Sequence, residues 1–501
     1  MRDALLGLDV GTTSTKAVLF DLAGRELARA SSNPYHNLSP QPGWVEQDPE
    51  EVWQAVVDTL QQIMQQSGDT AEIKAICMAV QSGSLLPANK AGVPVYPIIT
   101  WLDGRTDQLI ADWKKAGIQE KIKPINGWSL IPGLPLPTIA WLRQYNPQVF
   151  QKAEHYYSVN DFIAHRLTGE SVSNPSNAGG MQLMDLHDGN WNETICELAG
   201  INSGMLSAVQ PSGSIIGEIS PTICNLTGLN PGVVLVNGGH DQVCTALGLG
   251  INHPGKFLLA CGTAWVFTGI LTSPELGELP DALGLNFHAY PERWTLSQSL
   301  GGLGASLEWW VNRAWQGVDI KASGDDVSRQ DKFKAYNQEL HKTEANQNLI
   351  FLPMTGGHAD PATTRRGGFI GLDFTHTRAE MGRAIMEGAG YELRWALDAV
   401  RMAGQPIDCL WMVGGAAQSP IWPSILADIT GLPIQIPEYD NWPALGAAIL
   451  AGVGSGLFAD IDSALENFRK PTREIFPNPD NKKIYESGFY HYKQLIKQRH
   501  E

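Results

Sequence analysis

The sequence predicts an α/β protein with two large, related domains that face a shared cleft. Strand-like and helix-like patterns alternate along the chain, and 501 residues exceed what one ordinary core accommodates. A strand–turn–strand unit also opens each half: it reads LLGLDVGTTSTKAVLFD at residues 5–21 and FLLACGTAWVFTGI at 257–270. We therefore expect two domains, 1–245 and 246–501.

The first unit predicts a hairpin, because two Leu- and Val-rich alternating runs flank a short link. The link offers one glycine, four hydroxyl residues and a lysine at residues 11–16. Backbone N–H groups, hydroxyls and a cation are what a polyphosphate needs. The alternative is an ordinary polar turn, but the second hairpin, with Gly262 and Thr263 in its turn, favours phosphate binding. The candidates in the first turn are Gly11, Thr12, Thr13, Ser14 and Lys16.

Further elements follow in order along the first half. Asp48 and Pro49 predict a helix start, as N-cap and first-turn proline. The run IKAICMAV at 73–80 predicts a buried strand that ends at Gln81, Ser82 and Gly83. The run VVLVNGGHDQ at 233–242 predicts a strand, a glycine turn and then a helix near Asp241.

In the second half, Thr377 and Glu380 form a capping-box pattern before a long helix. A strand then runs into Gly414, Gly415 and Ala416, where a ligand could approach the backbone, more plausibly a flat base than a phosphate. Tight strand–helix turns also use such a glycine pair for packing alone. Ser419 and Pro420 predict the start of the following helix, which ends at Gly431.

Composition limits the partners. Hydrophobic content of 43% and charged content of 18% are typical of a globular protein. A net charge of −16 disfavours nucleic acid and anionic membranes. The six cysteines are scattered without metal-type pairing, Arg2 and Asp3 lead directly into a strand-like run, and the apolar stretch 444–453 is too short to span a bilayer. We expect a cytoplasmic protein.

The chain resembles the FGGY family of carbohydrate kinases, within the actin-like, hexokinase-like ATPases. The motifs that carry the resemblance keep the family's order over nearly the whole chain. They are GLDVGTTSTKAVLFD, PGWVEQDPEEVW, ITWLDGRT, PGLPLPTIAWL, NDFIAHRLTGE, GGHDQ, CGTAW, GGLGASLEWW, RRGGFIGL, MVGGAAQSPIW and ALGAAILAGVG. The resemblance implies two actin-like (ribonuclease H-like) ATPase domains around a central cleft.

The resemblance also implies ATP and Mg²⁺ as cofactors. It places the catalytic base at Asp241, which would accept the proton of a sugar hydroxyl that attacks the γ-phosphate, and it places Asp9 beside the metal, with Asp241 as a second metal-side group. The alternative is that Asp241 caps the following helix and Asp9 holds the hairpin turn.

On the nucleotide side, the resemblance assigns the two phosphate turns and an adenosine motif. Gly262 and Thr263 match the second phosphate loop, and Gly304 and Glu308 fall where the family meets the nucleoside. Gly414, Gly415, Ala416 and Ser419 match the adenosine motif. Lys16 could instead be a solvated surface residue, and Ser419 could be only a helix cap.

On the acceptor side, the candidates are Gln81, Ser82, Gly83, Trp101, Asp103, Arg105, His240, Asp241 and Gln242. An indole packs against the C–H face of a sugar, and a carboxylate accepts hydroxyl protons with direction. Trp101 could instead be a core residue, Arg105 could serve only to pair with Asp103, and His240 could be structural.

The motifs are most similar to xylulokinase-like members, so the resemblance implies transfer of the γ-phosphate of ATP to a ketopentose such as xylulose or ribulose. Ser82 and Gly83 match neither the Met-His typical of xylulokinases nor the Arg-Glu typical of glycerol kinases, and His358 and Ala359 replace two charges common in the family. Another polyol or sugar acid (glycerol, gluconate or erythritol type) is therefore an alternative acceptor.

Two other classes remain as alternatives at this stage. One is a non-catalytic actin-like ATPase or sugar sensor. The other is a nicotinamide-dependent dehydrogenase, which the turn at Gly11 disfavours because that turn returns to a strand instead of opening a helix. The family also suggests a homodimer.

Overall fold

The computed structural model describes residues 2–275, 280–314, 336–340, 343–345, 347–353 and 367–498. Two mixed β-sheets organise these residues, and helices cover their faces. The strands are β1 (Arg2–Val10), β2 (Thr15–Asp21), β3 (Glu26–Ser31), β4 (Glu46–Gln47), β5 (Ala71–Val80), β6 (Leu86–Ala88), β7 (Ile98–Ile99), β8 (His155–Tyr157), β9 (Val172–Ser173), β10 (Ala208–Val209), β11 (Ile215–Glu218), β12 (Val234–His240), β13 (Gly255–Cys261), β14 (Trp265–Leu271), β15 (Gly284–Phe287), β16 (Trp294–Gly301), β17 (Ile350–Leu352), β18 (Gly368–Ile370), β19 (Ile407–Val413), β20 (Ile434–Pro437) and β21 (Thr472–Ile475).

Two of the longest helices, those at 49–67 and 378–402, begin at the start signals that the sequence predicts. The α-helices are α1 (Pro49–Ser67), α2 (Asp107–Lys115), α3 (Ile118–Asn126), α4 (Pro135–Tyr145), α5 (Pro147–Lys152), α6 (Val159–Thr168), α7 (Pro175–Gly180), α8 (Glu193–Ala199), α9 (Pro221–Thr227), α10 (Asp241–Gly248), α11 (Leu303–Trp309), α12 (Arg378–Met402), α13 (Trp422–Thr430), α14 (Trp442–Gly454), α15 (Ile461–Phe468) and α16 (Lys482–Gln498). The Asp48 side chain caps α1, and Thr377 and Glu380 form the predicted capping box of α12.

The start of α13 differs from the prediction. The helix begins at Trp422, after a 3₁₀ turn, and not at Ser419. The Ser419 hydroxyl still accepts a hydrogen bond from the backbone N–H of Trp422 (3.3 Å), so it satisfies a first-turn donor from three residues upstream. The predicted end is confirmed, because Gly431 closes the helix with φ of 69°.

The two sheets repeat one topology. The strand order is β11-β12-β5-β1-β2-β3 in the first sheet and β15-β16-β14-β13-β19-β20-β21 in the second. In each, an antiparallel meander (β1–β2–β3 or β13–β14–β16) continues into two strands parallel to its first strand and then an antiparallel edge strand. The repeat inferred from two hairpins is therefore confirmed, and it extends to six strands in each half.

Four buried apolar clusters hold this arrangement together. One lies between the second sheet and helices α12, α13 and α16, and another lies between the first sheet and α1 and α6. A third joins α10 and α14 to the first sheet, so that a helix from the end of the chain packs on the beginning. A smaller cluster lies within residues 85–206. The six cysteines are free thiols.

No helix among the described residues is long and apolar enough to cross a membrane.

Candidate active site

Three parallel strands bring the first group of candidate residues to one edge of the first sheet. Strands β1, β5 and β12 are neighbours, with Asp9 beside Ala79 and His240 beside Val80 in the register. The Gln81 backbone N–H donates to the Val10 carbonyl (2.9 Å) where the strands end. Because the carboxyl ends of neighbouring parallel strands share an edge, the turn at 11–14, the loop at 81–83 and Asp241 converge there.

The first hairpin turn presents hydroxyls to solvent. Residues 11–14 connect β1 to β2, and the Gly11 N–H donates to the Ser14 carbonyl across the turn (3.2 Å). Thr13 is exposed, and Thr12 and Ser14 are half-buried. The Thr12 carbonyl is held by the Gln47 side-chain amide (2.7 Å). The turn is thus fixed from behind while its hydroxyls stay available for a ligand.

Asp241 is the first residue of α10, and His240 occupies the N-cap position without a capping hydrogen bond from its side chain. The carboxylate oxygen Oδ1 accepts a hydrogen bond from the Gln242 N–H (2.6 Å) and lies 2.9 Å from His240 Nε2. The other oxygen, Oδ2, accepts no hydrogen bond from any residue that the structure describes, and the side chain is 28% exposed. Asp241 therefore lies inside the helix and not at its N-cap position, and one of its carboxylate oxygens faces no donor among the described residues.

Asp9 lies close enough to Asp241 for their charges to interact. Burial raises the pKa of Asp9 to about 7, the Asp241 carboxylate adds to the increase, and Lys16 opposes it. Lys16 is exposed on the neighbouring strand and pairs with Asp9 in the register. Two crowded carboxylates of this kind are stabilised by a bound cation or by a shared proton.

Trp101 is 41% exposed, so it is not the core residue that the alternative interpretation assumed. Its indole Nε1 donates to the Thr12 hydroxyl oxygen (3.0 Å). The predicted acceptor segment and the first hairpin turn are therefore joined directly, and the indole remains accessible to a ligand.

The expectation that Asp103 and Arg105 contact the acceptor is corrected. Both side chains are 0% exposed. Asp103 accepts hydrogen bonds from the Arg105 guanidinium (2.8 and 2.9 Å) and from the Val45 N–H (2.6 Å). Arg105 also pairs with Glu46 (2.7 Å) and lies over the Trp44 ring (4.0 Å). The pair orders the loop behind Trp101, because a buried ion pair is stable only when its members satisfy each other.

The loop at 81–83 and the nearby Gln242 carry buried polar atoms that have no hydrogen-bond partner among the described residues. Gln81 Nε2, Ser82 Oγ and Gln242 Oε1 are buried and make no hydrogen bond with the residues that the structure describes. Gly83 has φ of 82° and packs against Leu134, so a glycine is needed at this turn. Buried donors and acceptors without partners are costly unless a ligand or water satisfies them.

Sequence reasoning missed the short helix α7. Ser176 and Asn177 on this helix are buried, and they contact His240 and Gln81 through hydrogen bonds of 2.8 and 3.3 Å. The only local signal was Asn174-Pro175, which is a typical helix start, followed by Gly179-Gly180. Such a signal says nothing about which distant segments the helix will contact.

The second sheet repeats the edge arrangement with neutral groups. Strands β13 and β19 are parallel and end at Cys261 and Val413. The turn at 262–264 is exposed. Gly414, with φ of 94°, lies against its base, and a Cβ there would be 2.6 Å from the Cys261 carbonyl oxygen. This turn is therefore backed by close backbone contact.

Gly304, which is expected near the nucleoside, packs against the turn at 262–264. A Cβ added at this residue would overlap the Gly262 carbonyl oxygen, and the Ala305 N–H donates to the Thr263 carbonyl (3.1 Å). Gly304 thus packs behind the turn at 262–264, while Glu308 lies one turn later on α11.

In the expected adenosine motif, Gly415 borders open space and Ala416 and Ser419 are buried. The Ser419 hydroxyl lies 3.2 Å from Asn337 Oδ1 and also serves the first turn of α13, as the capping alternative anticipated. His358 and Ala359 lie outside the described residues.

The comparisons with known proteins agree with this architecture. The family model "FGGY family of carbohydrate kinases, N-terminal domain" matches residues 4–248, and the corresponding C-terminal domain matches 258–455. The L-xylulose/3-keto-L-gulonate kinase of Escherichia coli (strain K12) is 29% identical over 501 residues, covering 99% of this chain and 97% of that protein.

Two further proteins are similar over nearly their full lengths. The xylulose kinase of Staphylococcus xylosus is 25% identical over 494 residues, covering 98% of this chain and 99% of that protein. The crystal structure of xylulose kinase from Rhodospirillum rubrum superposes with a TM-score of 0.89 at 25% identity, covering 99% of each chain.

The repeated sheets, the two glycine-containing hairpin turns and the matches to both family domains lead to one conclusion. Members of this family are sugar kinases that use ATP as phosphate donor. The dehydrogenase and non-catalytic alternatives are thereby rejected. This chain belongs to the FGGY family of carbohydrate kinases and is an enzyme of that class.

Proposed function

We propose that this kinase transfers the γ-phosphate of ATP to a primary hydroxyl of a neutral ketopentose such as xylulose or ribulose. The observation that carries the proposal is the position of Asp241, whose Oδ2 is unengaged by the described residues beside the partnerless polar atoms of Gln81, Ser82 and Gln242. A carboxylate next to groups that can hold sugar hydroxyls can accept the proton of the attacking hydroxyl.

The charges of the acceptor candidates support a neutral substrate. Arg105 has no exposed side-chain surface, because Asp103, Glu46 and the Trp44 ring enclose it. It is therefore not available to a substrate carboxylate. Gln81, Ser82, Trp101 and Gln242 offer amides, a hydroxyl and an aromatic face, which match hydroxyl groups and C–H faces.

On the donor side, we propose that the turns at 11–14 and 262–264 hold the phosphates of one ATP, and that Gly415 and Ala416 border its adenosine. The exposed Thr13 and Thr263 and the half-buried Thr12 and Ser14 support this assignment. Gly304 supports the second turn from behind instead of contacting the nucleoside. Lys16 is a candidate charge partner.

We propose Mg²⁺ as the accompanying ion. The residues fit it, because Asp9 and Asp241 place two interacting carboxylates at the same sheet edge. Burial is the main reason that the pKa of Asp9 is raised to about 7, and the Asp241 carboxylate adds to the increase, so a cation between them would favour the charged forms. No group of three or more acidic, His or Cys side chains is poised to bind a metal within the described part of the chain. Mg²⁺ is commonly held by one or two carboxylates together with substrate phosphates, whose charge it neutralises when bound.

The structure of the site supports direct in-line transfer. Asp241 would orient and deprotonate the acceptor hydroxyl, and the two turns would hold the phosphates in line with it. The boundary at residue 245, the cytoplasmic location and the homodimer remain predictions; light scattering of purified protein tests the last of these.

A coupled ADP-release assay with magnesium-ATP tests the proposal. The panel contains ketopentoses, aldopentoses, polyols and sugar acids, each at the same concentration. We expect the highest kcat/KM with a ketopentose. Preference for gluconate or another sugar acid would overturn the neutral-acceptor argument and leave the kinase assignment intact. ADP release that no acceptor increases would overturn the proposed acceptor class.

A further inference from the structure

The short helix α7 lies between the two sheets, where it contacts β12 of the first sheet and β15 of the second. Asn174 caps it: the side-chain oxygen accepts from the Asn177 N–H (2.9 Å) and from the Ser176 hydroxyl (2.8 Å). Asn174, Ser176 and Asn177 are all 0% exposed. Because the hydroxyl hydrogen of Ser176 is donated to Asn174, the lone pairs of its oxygen are left to accept.

The hydrogen bond that Ser176 accepts fixes the backbone next to the proposed base. The His240 N–H donates to Ser176 Oγ (2.8 Å). His240 ends β12 and occupies the N-cap position of α10, and Asp241 is the next residue. The orientation of the Gly239–His240 peptide, and with it the course of the backbone that leads into Asp241, therefore depends on where Ser176 is held.

Ser176 is held from the second half of the chain. The Asn286 side-chain amide, on β15 of the second sheet, donates to the Ser176 carbonyl (2.9 Å), and its own oxygen accepts from the Phe287 N–H (2.8 Å). A Cβ added at Gly179 would overlap Asn286 Oδ1. Asn286 thus reaches the helix through a gap that only a glycine leaves open.

The strands that carry Asn286 are anchored to the first half at further points. The Leu285 N–H donates to the Gly127 carbonyl (2.9 Å), and the Trp294 indole donates to the Leu186 carbonyl (3.3 Å). The Ser129 hydroxyl donates to the Asp281 carbonyl (2.7 Å). These contacts give Asn286 a defined position relative to α7.

The same helix supports the acceptor loop. The Asn177 side-chain amide donates to the Gln81 carbonyl (3.3 Å). A Cβ at Gly180 would overlap Ser82 Oγ, so the end of α7 lies directly against the loop. One buried helix therefore sets the positions of both the acceptor loop and the backbone before the base.

We propose that Ser176 and Asn286 are positioning residues for Asp241. Asn286 fixes the Ser176 carbonyl, Ser176 fixes the His240 N–H, and the base is thereby aligned by a hydrogen-bonded chain that begins in the second sheet. The proposal rests on the proposed role of Asp241 as the base. It predicts that changes at residue 286, which is distant in sequence from the base, alter the chemical step.

Hydrogen–deuterium exchange of the full chain gives a test that needs no sugar substrate. Ser176→Ala removes the acceptor of the His240 N–H, so we expect faster exchange in the segment 238–244 than in the wild type. Asn286→Ala should speed exchange in the same segment to a smaller extent. Gly179→Ala should resemble Asn286→Ala, because the added methyl group displaces the amide.

Steady-state kinetics then separate positioning from general loss of structure. We expect Ser176→Ala to lower kcat by about 10- to 100-fold, as a misplaced reactive group does, with KM for ATP within about two-fold of wild type. Ser176→Thr keeps the accepting oxygen and should recover most of kcat. It also keeps the proposal testable if Ser176→Ala fails to fold.

The matched control is Ser207→Ala, because Ser207 is also buried and its hydroxyl has no hydrogen-bond partner among the described residues. The proposal is overturned if Ser176→Ala and Asn286→Ala match this control in exchange and in kcat, or if Ser176→Thr is as impaired as Ser176→Ala. Wild-type protein that phosphorylates no acceptor would refute the proposed function, and the exchange measurement would then decide the positioning role by itself. Full activity of Asp241→Ala would show that Asp241 is not the base and would overturn the positioning role with it.

Discussion

The two hairpin turns have the same place in the repeated topology but differ in what surrounds them. The turn at 11–14 follows Asp9, contacts Trp101 through Thr12, and shares its sheet edge with Asp241. The turn at 262–264 is backed by Gly304 and Gly414, which approach it closely with main-chain atoms. The first turn is set among side chains that can perform chemistry, and the second is shaped by backbone packing.

This difference indicates that the two halves of the repeated fold have different roles at the site. A phosphate group can be held by backbone N–H groups and hydroxyls in either half. A carboxylate can accept a proton or hold Mg²⁺, and the two carboxylates of the proposed site, Asp9 on β1 and Asp241 at the start of α10, lie at the edge of the first sheet. We therefore expect substitutions at the first edge to impair catalysis and substitutions at the second edge to impair nucleotide affinity.

The largest effect is expected for Asp241→Ala. Loss of a general base should lower kcat by about 10²–10⁴-fold, while ADP binding measured by calorimetry stays near the wild-type value. Asp241→Asn, which keeps the side-chain shape, should be equally impaired. An Asp241→Ala variant with wild-type kcat would contradict the expectation that the edge of the first sheet, unlike that of the second, carries the catalytic base.

The next effect concerns the second turn. Gly304→Ala places a methyl group onto the Gly262 carbonyl oxygen, so we expect KM for ATP to rise by about 10-fold through misplacement of the turn, with little change in KM for the acceptor. Alanine has a higher helix propensity than glycine, so a rise in KM for ATP cannot result from a less stable helix α11. Gly368→Ala is the control, because a Cβ there meets no atom within 4 Å. A larger change in acceptor KM than in ATP KM would reverse the assignment.

Asp9→Asn should change stability in a pH-dependent manner. The pKa of Asp9 is about 7 in the folded chain and has its ordinary value of about 3.9 in the unfolded chain. Between these two pH values the folded chain binds more protons than the unfolded chain. The free energy of unfolding of the wild type therefore falls as the pH rises through this range. The neutral side-chain amide of the variant removes the cost of burying a charged carboxylate at this position. In the absence of ligands we expect a melting temperature a few degrees above wild type at pH 8 and a smaller difference at pH 5.

The same Asp9→Asn protein should be a poor enzyme, because it loses one of the two carboxylates proposed for Mg²⁺. Thermal melts across pH 5–8, in buffers of constant ionic strength, check the stability part. A difference in melting temperature that does not vary with pH would contradict the cause given for the high pKa of Asp9.

The smallest effect is expected for Trp101→Phe. The ring is kept, but the hydrogen bond from the indole to Thr12 is lost, which is worth about 1 kcal/mol or roughly five-fold in affinity. We expect KM for the acceptor to rise by this factor and ATP affinity to change less. Tyr490→Phe, at an aromatic residue that is 60% exposed on α16, is the control.

The local elements were largely predictable, because their signals lie within a few residues. The hairpins, the buried strand β5, the cap at Asp48 and the capping box at Thr377 all follow from neighbours in sequence. The environment of Arg105 was less predictable. It was expected to bind substrate, with pairing to Asp103 as the alternative, and its further partner Glu46 lies 59 residues away. A sequence motif does not show whether its charged side chains are exposed to solvent or paired with each other.

The sequence by itself determined the α/β class, the repeated hairpins and the family, because periodicity, turn residues and ordered motifs are properties of short segments. Only the tertiary structure decided which side chains remain available. It enclosed Asp103 and Arg105, left Trp101 and Asp241 accessible, and brought Ser176 and Asn286 together across 110 residues. The reason is that burial and hydrogen-bond partners depend on which segments meet at a sheet edge, and that is settled by packing over long separations in the chain.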